Sequence, residues 1–155
     1  MKSFYSLLFV ALLTCISCGK ITTPEISDLN TIPEYHKAKD GVFIHVSSGY
    51  NNPQKVLMAV NLAAKMAESK DVALFFDVEG VMMLTKTSED IEMANFMSLH
   101  KTLKKLVEMN VLIMACPMCI KKAGIDIMQL KTGVVVAEKE KFFNFTKGRI
   151  LSLNY

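Results

Sequence analysis

Short apolar runs alternate with helix-like segments along most of the chain, and this alternation restricts the fold more than any other feature of the sequence. Strands without a polar face are typical of parallel sheets that helices cover on both sides. The sequence therefore predicts an α/β domain with three layers, α/β/α, around a mostly parallel sheet of about five strands. The runs that are apolar throughout, or nearly so, are residues 42–46, 72–78, 111–115, 134–136 and 150–153.

The segments between these runs carry helical periodicity. From Pro53 to Ala67 the apolar residues recur at helical spacing, and a proline suits the first turn of a helix. Residues 88–110 predict a long amphipathic helix, and a short helix after the third run is predicted to end at Gly124. Functional loops are expected beyond the carboxyl ends of the strands, at residues 47–53, 77–80 and 116–119.

The first residues predict export rather than a folded element. A minimal basic start is followed by an apolar stretch at residues 4–16, which is too short to span a bilayer. Cys18 lies between Ser17 and Gly19, and this pattern resembles the lipidation site of bacterial lipoproteins. Cys15 is an alternative lipidation site, and a plain secretory signal without lipidation is a second alternative.

The predicted domain organisation follows from that signal. Residues 1–18 form the lipoprotein signal peptide, residues 19–40 a polar tether, and residues 41–155 the α/β domain. The protein is expected in the bacterial cell envelope, on the periplasmic side or at the outer membrane, and anchored to the membrane by its lipid alone. A formal net charge of +3 without runs of basic residues argues against nucleic-acid binding.

Export changes the meaning of the cysteine count. The chain has four cysteines, and two of them belong to the signal region, so Cys116 and Cys119 are the pair left in the domain. A disulfide across a two-residue loop barely restricts the unfolded chain and therefore stabilises little. Reactivity explains this pair better than stability does, and sulfur or thiol redox chemistry is the predicted use.

The position of Cys116 favours its thiolate. Cys116 directly follows a predicted strand, and Pro117 suits the first residue of a helix, which places Cys116 at or near the N-cap. Unpaired backbone N–H groups and the positive end of the helix dipole stabilise a thiolate there, and the thiolate is the nucleophile. Cys119 follows one helical turn later on the same side. We therefore expect Cys116 to be the nucleophile or persulfide carrier and Cys119 the resolving thiol.

Three other uses of the pair stay open. Inert or disulfide-bonded cysteines are the structural alternative, and copper held by the two thiols and Met118 would suit soft ligands. Zinc needs four ligands, and the histidines at positions 36, 45 and 100 have no ligand-like spacing to the cysteines. A thioredoxin-type oxidoreductase has a similar Cys-Pro-x-Cys motif, but here the motif follows the third strand and no proline follows Pro117. No cofactor is predicted.

Other residues in or beside the predicted loops are candidates for lining the site. His45 lies inside a buried strand, where a hydrogen-bonded structural histidine is the alternative to a functional one. A carboxylate near a thiol raises the thiol's pKa, so Asp77 or Glu79 beside the pair would favour sulfur storage over attack. The full set of candidates is His45, Ser47, Ser48, Asn51, Asp77, Glu79, Pro117 and Met118.

Four segments of the chain resemble the DsrE/DsrF-like family of small α/β proteins associated with sulfur relay, and the resemblance extends over residues 41–155. Family members with a catalytic cysteine have it eight residues before a glycine, which is the spacing of Cys116 to Gly124. The resemblance therefore implies that Cys116 carries the persulfide, while only a subset of relatives has a second cysteine where Cys119 lies. The segments are FIHVSSG at 43–49, PQKVLMAVNL at 53–62, LFFDVEGV at 74–81 and CPMCIKKAG at 116–124.

The resemblance also implies a function and partners. It implies a sulfur carrier or sulfurtransferase-like protein that forms a homo-oligomer, a trimer or hexamer, and exchanges sulfur with a partner protein or a small thiol. Sulfur-relay members work in the cytoplasm, so an exported member departs from the setting of tRNA thiolation. The alternatives are a binding module without turnover and a dithiol oxidoreductase of the envelope.

Overall fold

A computed structural model of the chain describes residues 38–155. The predicted signal peptide with its Cys18, and the tether as far as residue 37, lie outside the described residues. The strands are β1 Gly41–Val46, β2 Asp71–Phe76, β3 Leu112–Ala115, β4 Val134–Val136 and β5 Ile150–Asn154. The helices are α1 Pro53–Met66, α2 Leu99–Glu108, α3 Pro117–Lys122 and α4 Lys141–Asn144, with 3₁₀ segments at Val78–Leu84 and Ile127–Gln129.

The strands form one parallel sheet in the order β4-β3-β2-β1-β5. The chain moves from β1 to β4 in one direction across the sheet and then returns past β1 to place β5 at the opposite edge. The prediction of a three-layer α/β/α fold around a mostly parallel sheet is confirmed, with five strands and every pairing parallel. None of the helices in the described range is long and apolar enough to cross a membrane.

Alternate residues of the central strands cover the two faces of the sheet. On one face Ile44, Leu74 and Ile113 are fully buried and join the buried residues of α1 and α2 in a single core. The other face carries Phe43 and Phe75, and both rings pack against Phe142 of α4 at centroid distances of 5.8 and 5.1 Å. Helices therefore lie on both faces of the sheet, but α4 is short and leaves the aromatic face of the sheet half-buried.

The helix starts follow the local sequence. Asn52 precedes α1, and its Oδ1 accepts the N–H of Lys55 at 3.3 Å, with Pro53 as the first helical residue. Helix α3 also has a proline as its first residue, and Cys116 is its N-cap residue. The helix ends before Gly124, whose φ is +65°. The predicted start and end of both helices agree with the structure to within a residue or two.

The long helix predicted over residues 88–110 is wrong in its first half, because α2 begins only at Leu99. Polar side chains in residues 88–98 bond to the backbone instead of allowing a helix. The hydroxyl of Ser88 bonds to the carbonyl oxygens of Met83 and Thr85, and Asp90 accepts the N–H of His100 at 2.8 Å. Ile91 and Phe96, two of the residues predicted for the inner face of the helix, still pack against the core, whereas Met93 and Met97 are exposed.

The edge strand β5 is tied to the start of β1 by an ion pair. The guanidinium of Arg149 donates to both carboxylate oxygens of Asp40, with Nε–Oδ1 at 3.1 Å and Nη2–Oδ2 at 2.7 Å. The hydrogen bonds and charge of Arg149 lower the pKa of Asp40 to about 2. This contact joins residues far apart in the sequence and fixes the register of β5 against β1 at its first residue pair, Gly41 with Ile150.

Gly80 lies so close to the end of β1 that a side chain does not fit. A Cβ at Gly80 would overlap the carbonyl oxygen of Val46 and come within 3.3 Å of the carbonyl oxygen of Ser48. We predict that Gly80→Ala lowers the free energy of unfolding by about 1–3 kcal/mol, measured by urea denaturation. Glu79→Ala, at the exposed neighbouring position, is the control and should change it by less than about 0.5 kcal/mol. Equal stability of the two variants would contradict the close packing.

Candidate functional site

Strands β1, β2 and β3 end side by side and bring their carboxyl-terminal loops together. The register pairs Val46 with Phe76 and Phe76 with Ala115. The hydrogen-bond ladder continues past both strands, because the N–H of Asp77 donates to the Val46 carbonyl at 3.1 Å and the N–H of Cys116 donates to the Phe76 carbonyl at 2.9 Å. The predicted loops therefore meet at one edge of the sheet.

The two cysteines lie at the start of α3 as free, half-buried thiols. Cys116 is the N-cap residue of α3, and Cys119 follows one helical turn later. The backbone N–H of Val78 donates to Cys119 Sγ at 3.2 Å, which links α3 to the loop after β2. Pro117 and Met118 point away from this contact, since both are exposed.

The surroundings of Cys119 favour its protonated form. Burial raises the pKa of the Cys119 thiol, and the nearby sulfur of Cys116 and the negative charge of Asp77 raise it further. The hydrogen bond from Val78 acts in the opposite direction but does not outweigh them. Cys119 therefore keeps its proton at neutral pH.

The residue that bonds Cys119 has an unfavourable backbone conformation. Val78 has a φ of +42°, a region that β-branched residues rarely adopt, and its side chain is exposed. Such a conformation costs on the order of 1–3 kcal/mol. It turns the N–H of Val78 toward the thiols. Val78 was not among the predicted site residues, because a positive φ at a valine cannot be predicted from the residue type.

His45 and Asp77 form a pair next to the thiols. His45 Nε2 lies 2.9 Å from Asp77 Oδ1, and the ring stacks on Phe75 at a centroid distance of 5.6 Å. Neither of the two atoms makes an aligned hydrogen bond within the described residues, although they lie within contact distance of each other. On the other side of the ring, Nδ1 lies 3.2 Å from Asn154 Oδ1. Asn154 was also missed, because it comes from β5 at the far end of the chain.

The other predicted lining residues serve their own loops. Ser47 Oγ donates to the carbonyl of Tyr155 at 3.1 Å, and Asn51 Oδ1 accepts the N–H of Gly49 at 2.9 Å. Ser48 is buried beside Gly80, while Glu79 is exposed. Of the polar candidates outside α3, Asp77 is therefore the one whose charge acts on Cys119, and His45 lies beside Asp77.

The described residues contain no group of three or more His, Cys, Asp or Glu side chains placed to hold a metal ion. A copper ion at the thiols would therefore depend on the two cysteines and on Met118, whose side chain is 73% exposed. The arrangement is better suited to chemistry between two sulfur atoms, since two free thiols lie one helical turn apart.

Comparisons with known proteins agree with this architecture. Residues 40–147 match the model of the DsrE/DsrF-like family. The ychN protein from E. coli is 18% identical with a TM-score of 0.55, and the alignment covers 74% of this chain and 99% of that one. MTH1491 from Methanobacterium thermoautotrophicum, a protein of unknown function, is 19% identical with a TM-score of 0.51 and the same coverage. At these identities the likeness concerns the fold, and no curated protein matches the chain.

The charge of Asp77 provides a test of the site's electrostatics. In a Cys116→Ser background, where Cys119 is the reporting thiol of the domain, we predict that Asp77→Asn lowers the pKa of Cys119. Removing a nearby negative charge makes the thiolate less unfavourable, and alkylation by iodoacetamide at neutral pH should become roughly two- to fivefold faster. Glu79→Gln removes an exposed carboxylate and should leave the rate unchanged. An unchanged or slower rate in Asp77→Asn would show that Asp77 does not act on Cys119.

Proposed function

The chain belongs to the DsrE/DsrF-like family, and from this premise we propose that it is a sulfur carrier or sulfurtransferase-like protein in which Cys116 holds sulfur as a persulfide. The observation that carries the proposal is the pair of free thiols at the carboxyl end of β3. Cys116 lies at the start of α3, and Cys119 follows one helical turn later with a raised pKa that keeps it protonated.

Sulfur would be loaded by attack of the Cys116 thiolate on the outer sulfur of a persulfide or polysulfide donor. A sulfur–sulfur bond forms at Cys116 as the donor's own sulfur–sulfur bond breaks, and the donor leaves as a thiolate, so no external oxidant is needed. The backbone N–H groups at the start of α3, where Cys116 is the N-cap residue, would stabilise negative charge on its sulfur.

Sulfur would leave by one of two balanced steps. An acceptor thiolate can attack the outer sulfur of the persulfide and restore Cys116. Alternatively, the Cys119 thiolate attacks Cys116 Sγ, forming a disulfide and releasing sulfide, so that the two cysteines supply the two electrons that reduce the sulfur. The Val78 N–H donates to Cys119 Sγ and would stabilise the thiolate that this second step requires, while the proton of Cys119 leaves on the released hydrosulfide.

The balance at Cys119 favours holding sulfur over releasing it. Burial, the nearby sulfur of Cys116 and the charge of Asp77 raise the pKa of Cys119, so its thiolate forms rarely at neutral pH. Release to a partner is then the main route, and the acceptor is a small thiol or a second protein. The predicted lipid anchor would keep this carrier in the cell envelope, and a homo-oligomer remains part of the proposal.

A dithiol oxidoreductase is the second candidate, because Cys116 and Cys119 are free thiols one helical turn apart, and a disulfide between them would be its redox-active group. It would exchange electrons with glutathione through that disulfide without taking up sulfur. The two candidates share both cysteines and differ in whether Cys116 alone can be loaded.

The test is sulfur uptake by the reduced, full-length protein under anaerobic conditions. After incubation with polysulfide, mass spectrometry of the wild-type protein should show one added sulfur atom on the peptide that contains Cys116. Cys116→Ser should gain roughly tenfold less sulfur, because the remaining thiol is mostly protonated. Cys119→Ser is the matched control variant; it should load as well as the wild type and hold its sulfur longer, because internal release is lost.

Two results would contradict the proposal. Equal sulfur uptake by Cys116→Ser and the wild type would exclude Cys116 as the carrier. Loss of reaction in both single variants, with disulfide exchange in the wild type alone, would favour the dithiol oxidoreductase.

A further inference from the structure

A groove of about 500 Å³ lies between α2 and β4, formed by residues that take no part in the thiol site. This volume is within the range of small-molecule sites, roughly 300–1,000 Å³. Its lining comes from α2, β3 and β4 and from the loops beside them.

The floor of the groove is apolar. Leu103 and Val107 of α2 face Ile113 of β3 and Val134 of β4 across it. Gly133, at a φ of +86°, allows the chain before β4 to pack directly against the side chain of Val107. An apolar floor of this kind binds a hydrocarbon chain by removing its surface from water.

The rim of the groove is positively charged. Lys86, Lys104 and Lys131 line it against a single carboxylate, that of Glu108. None of the three lysines forms an ion pair with any residue in the range 38–155. The groove therefore combines an excess of positive charge with an apolar floor.

Two of the lysines are held in place by uncharged partners. Lys131 donates to the carbonyl of Thr85 and to Ser88 Oγ, and Lys86 donates to the carbonyl of Met128 at 2.8 Å. An ammonium group has three N–H donors, so both lysines keep at least one for a ligand. Partial burial lowers the pKa of Lys131 and outweighs the opposing effect of the negative charge of Asp90.

We propose that this groove binds a singly charged oxyanion on an apolar chain, such as an alkyl carboxylate, with its head at Lys86, Lys104 and Lys131 and its chain over Leu103, Val107 and Val134. The lysines supply the positive counter-charge that a carboxylate needs where water is scarce. The apolar floor supplies the surface against which the hydrocarbon chain packs. This inference does not depend on the thiol chemistry.

The test uses octanoate as the probe and the full-length protein. Octanoate should shift the methyl NMR signals of the floor residues, whereas acetate lacks the chain and octyltrimethylammonium has the opposite charge, so neither should bind. Shortening octanoate to hexanoate should weaken binding by roughly fifteenfold, since two methylenes are lost and each buried methylene contributes about fourfold.

The charge requirement is tested with exposed lysines, whose replacement leaves the core untouched. Lys86→Glu and Lys104→Glu should each weaken octanoate binding by roughly three- to tenfold. Lys101→Glu makes the same charge change on α2 outside the groove, and binding should stay within roughly twofold of the wild type.

Three outcomes would overturn the proposal. Octyltrimethylammonium could bind as well as octanoate, which would make the groove merely apolar. Binding could be the same in Lys104→Glu as in Lys101→Glu, which would remove the role of the rim. The groove signals could respond to protein concentration but not to octanoate, which would assign the groove to contact between copies of the chain.

Discussion

Two backbone hydrogen bonds beyond the ends of β2 and β3 determine where the thiols lie. Asp77 and Cys116 continue the parallel ladder for one residue after each strand ends, so the residues that leave the sheet start from adjacent positions. The loop after β2 also needs Gly80, because only a residue without a side chain fits against the carbonyl of Val46. Without this packing, Val78 would not reach Cys119 and Asp77 would not reach His45.

That arrangement gives the two cysteines different properties although they are one helical turn apart. Cys116 lies at the helix start, where the backbone N–H groups have no partner within the helix. Cys119 is half-buried, lies near the carboxylate of Asp77 and accepts a single N–H, from Val78. The difference supports a carrier thiol and a helper thiol rather than two equivalent ones. Away from the thiols, Ser88 takes part in two contacts. Its hydroxyl donates to the backbone at the start of the segment predicted as helix, and it also accepts a hydrogen bond from Lys131 at the groove.

Periodicity and turn residues predicted the parallel sheet, the start of α1 and the N-cap position of Cys116, since each depends on a few neighbouring residues. The family was also predicted, because its motifs lie at the loops that form the site. Local patterns could not show that residues 88–98 leave the helix, because their apolar residues keep a helical period while Ser88 and Asp90 bond the backbone. They could not reveal Val78 or Asn154 either, because one acts through a backbone N–H and the other arrives from β5.

The central claim is that Cys116, and not Cys119, is the reactive thiol of the pair. It is tested most directly by treating the reduced wild-type protein with less than one equivalent of iodoacetamide at neutral pH and mapping the label by peptide mass spectrometry. The account predicts that the label is found mainly on Cys116, because Cys119 holds its proton. Equal labelling of the two cysteines, or a preference for Cys119, would contradict it.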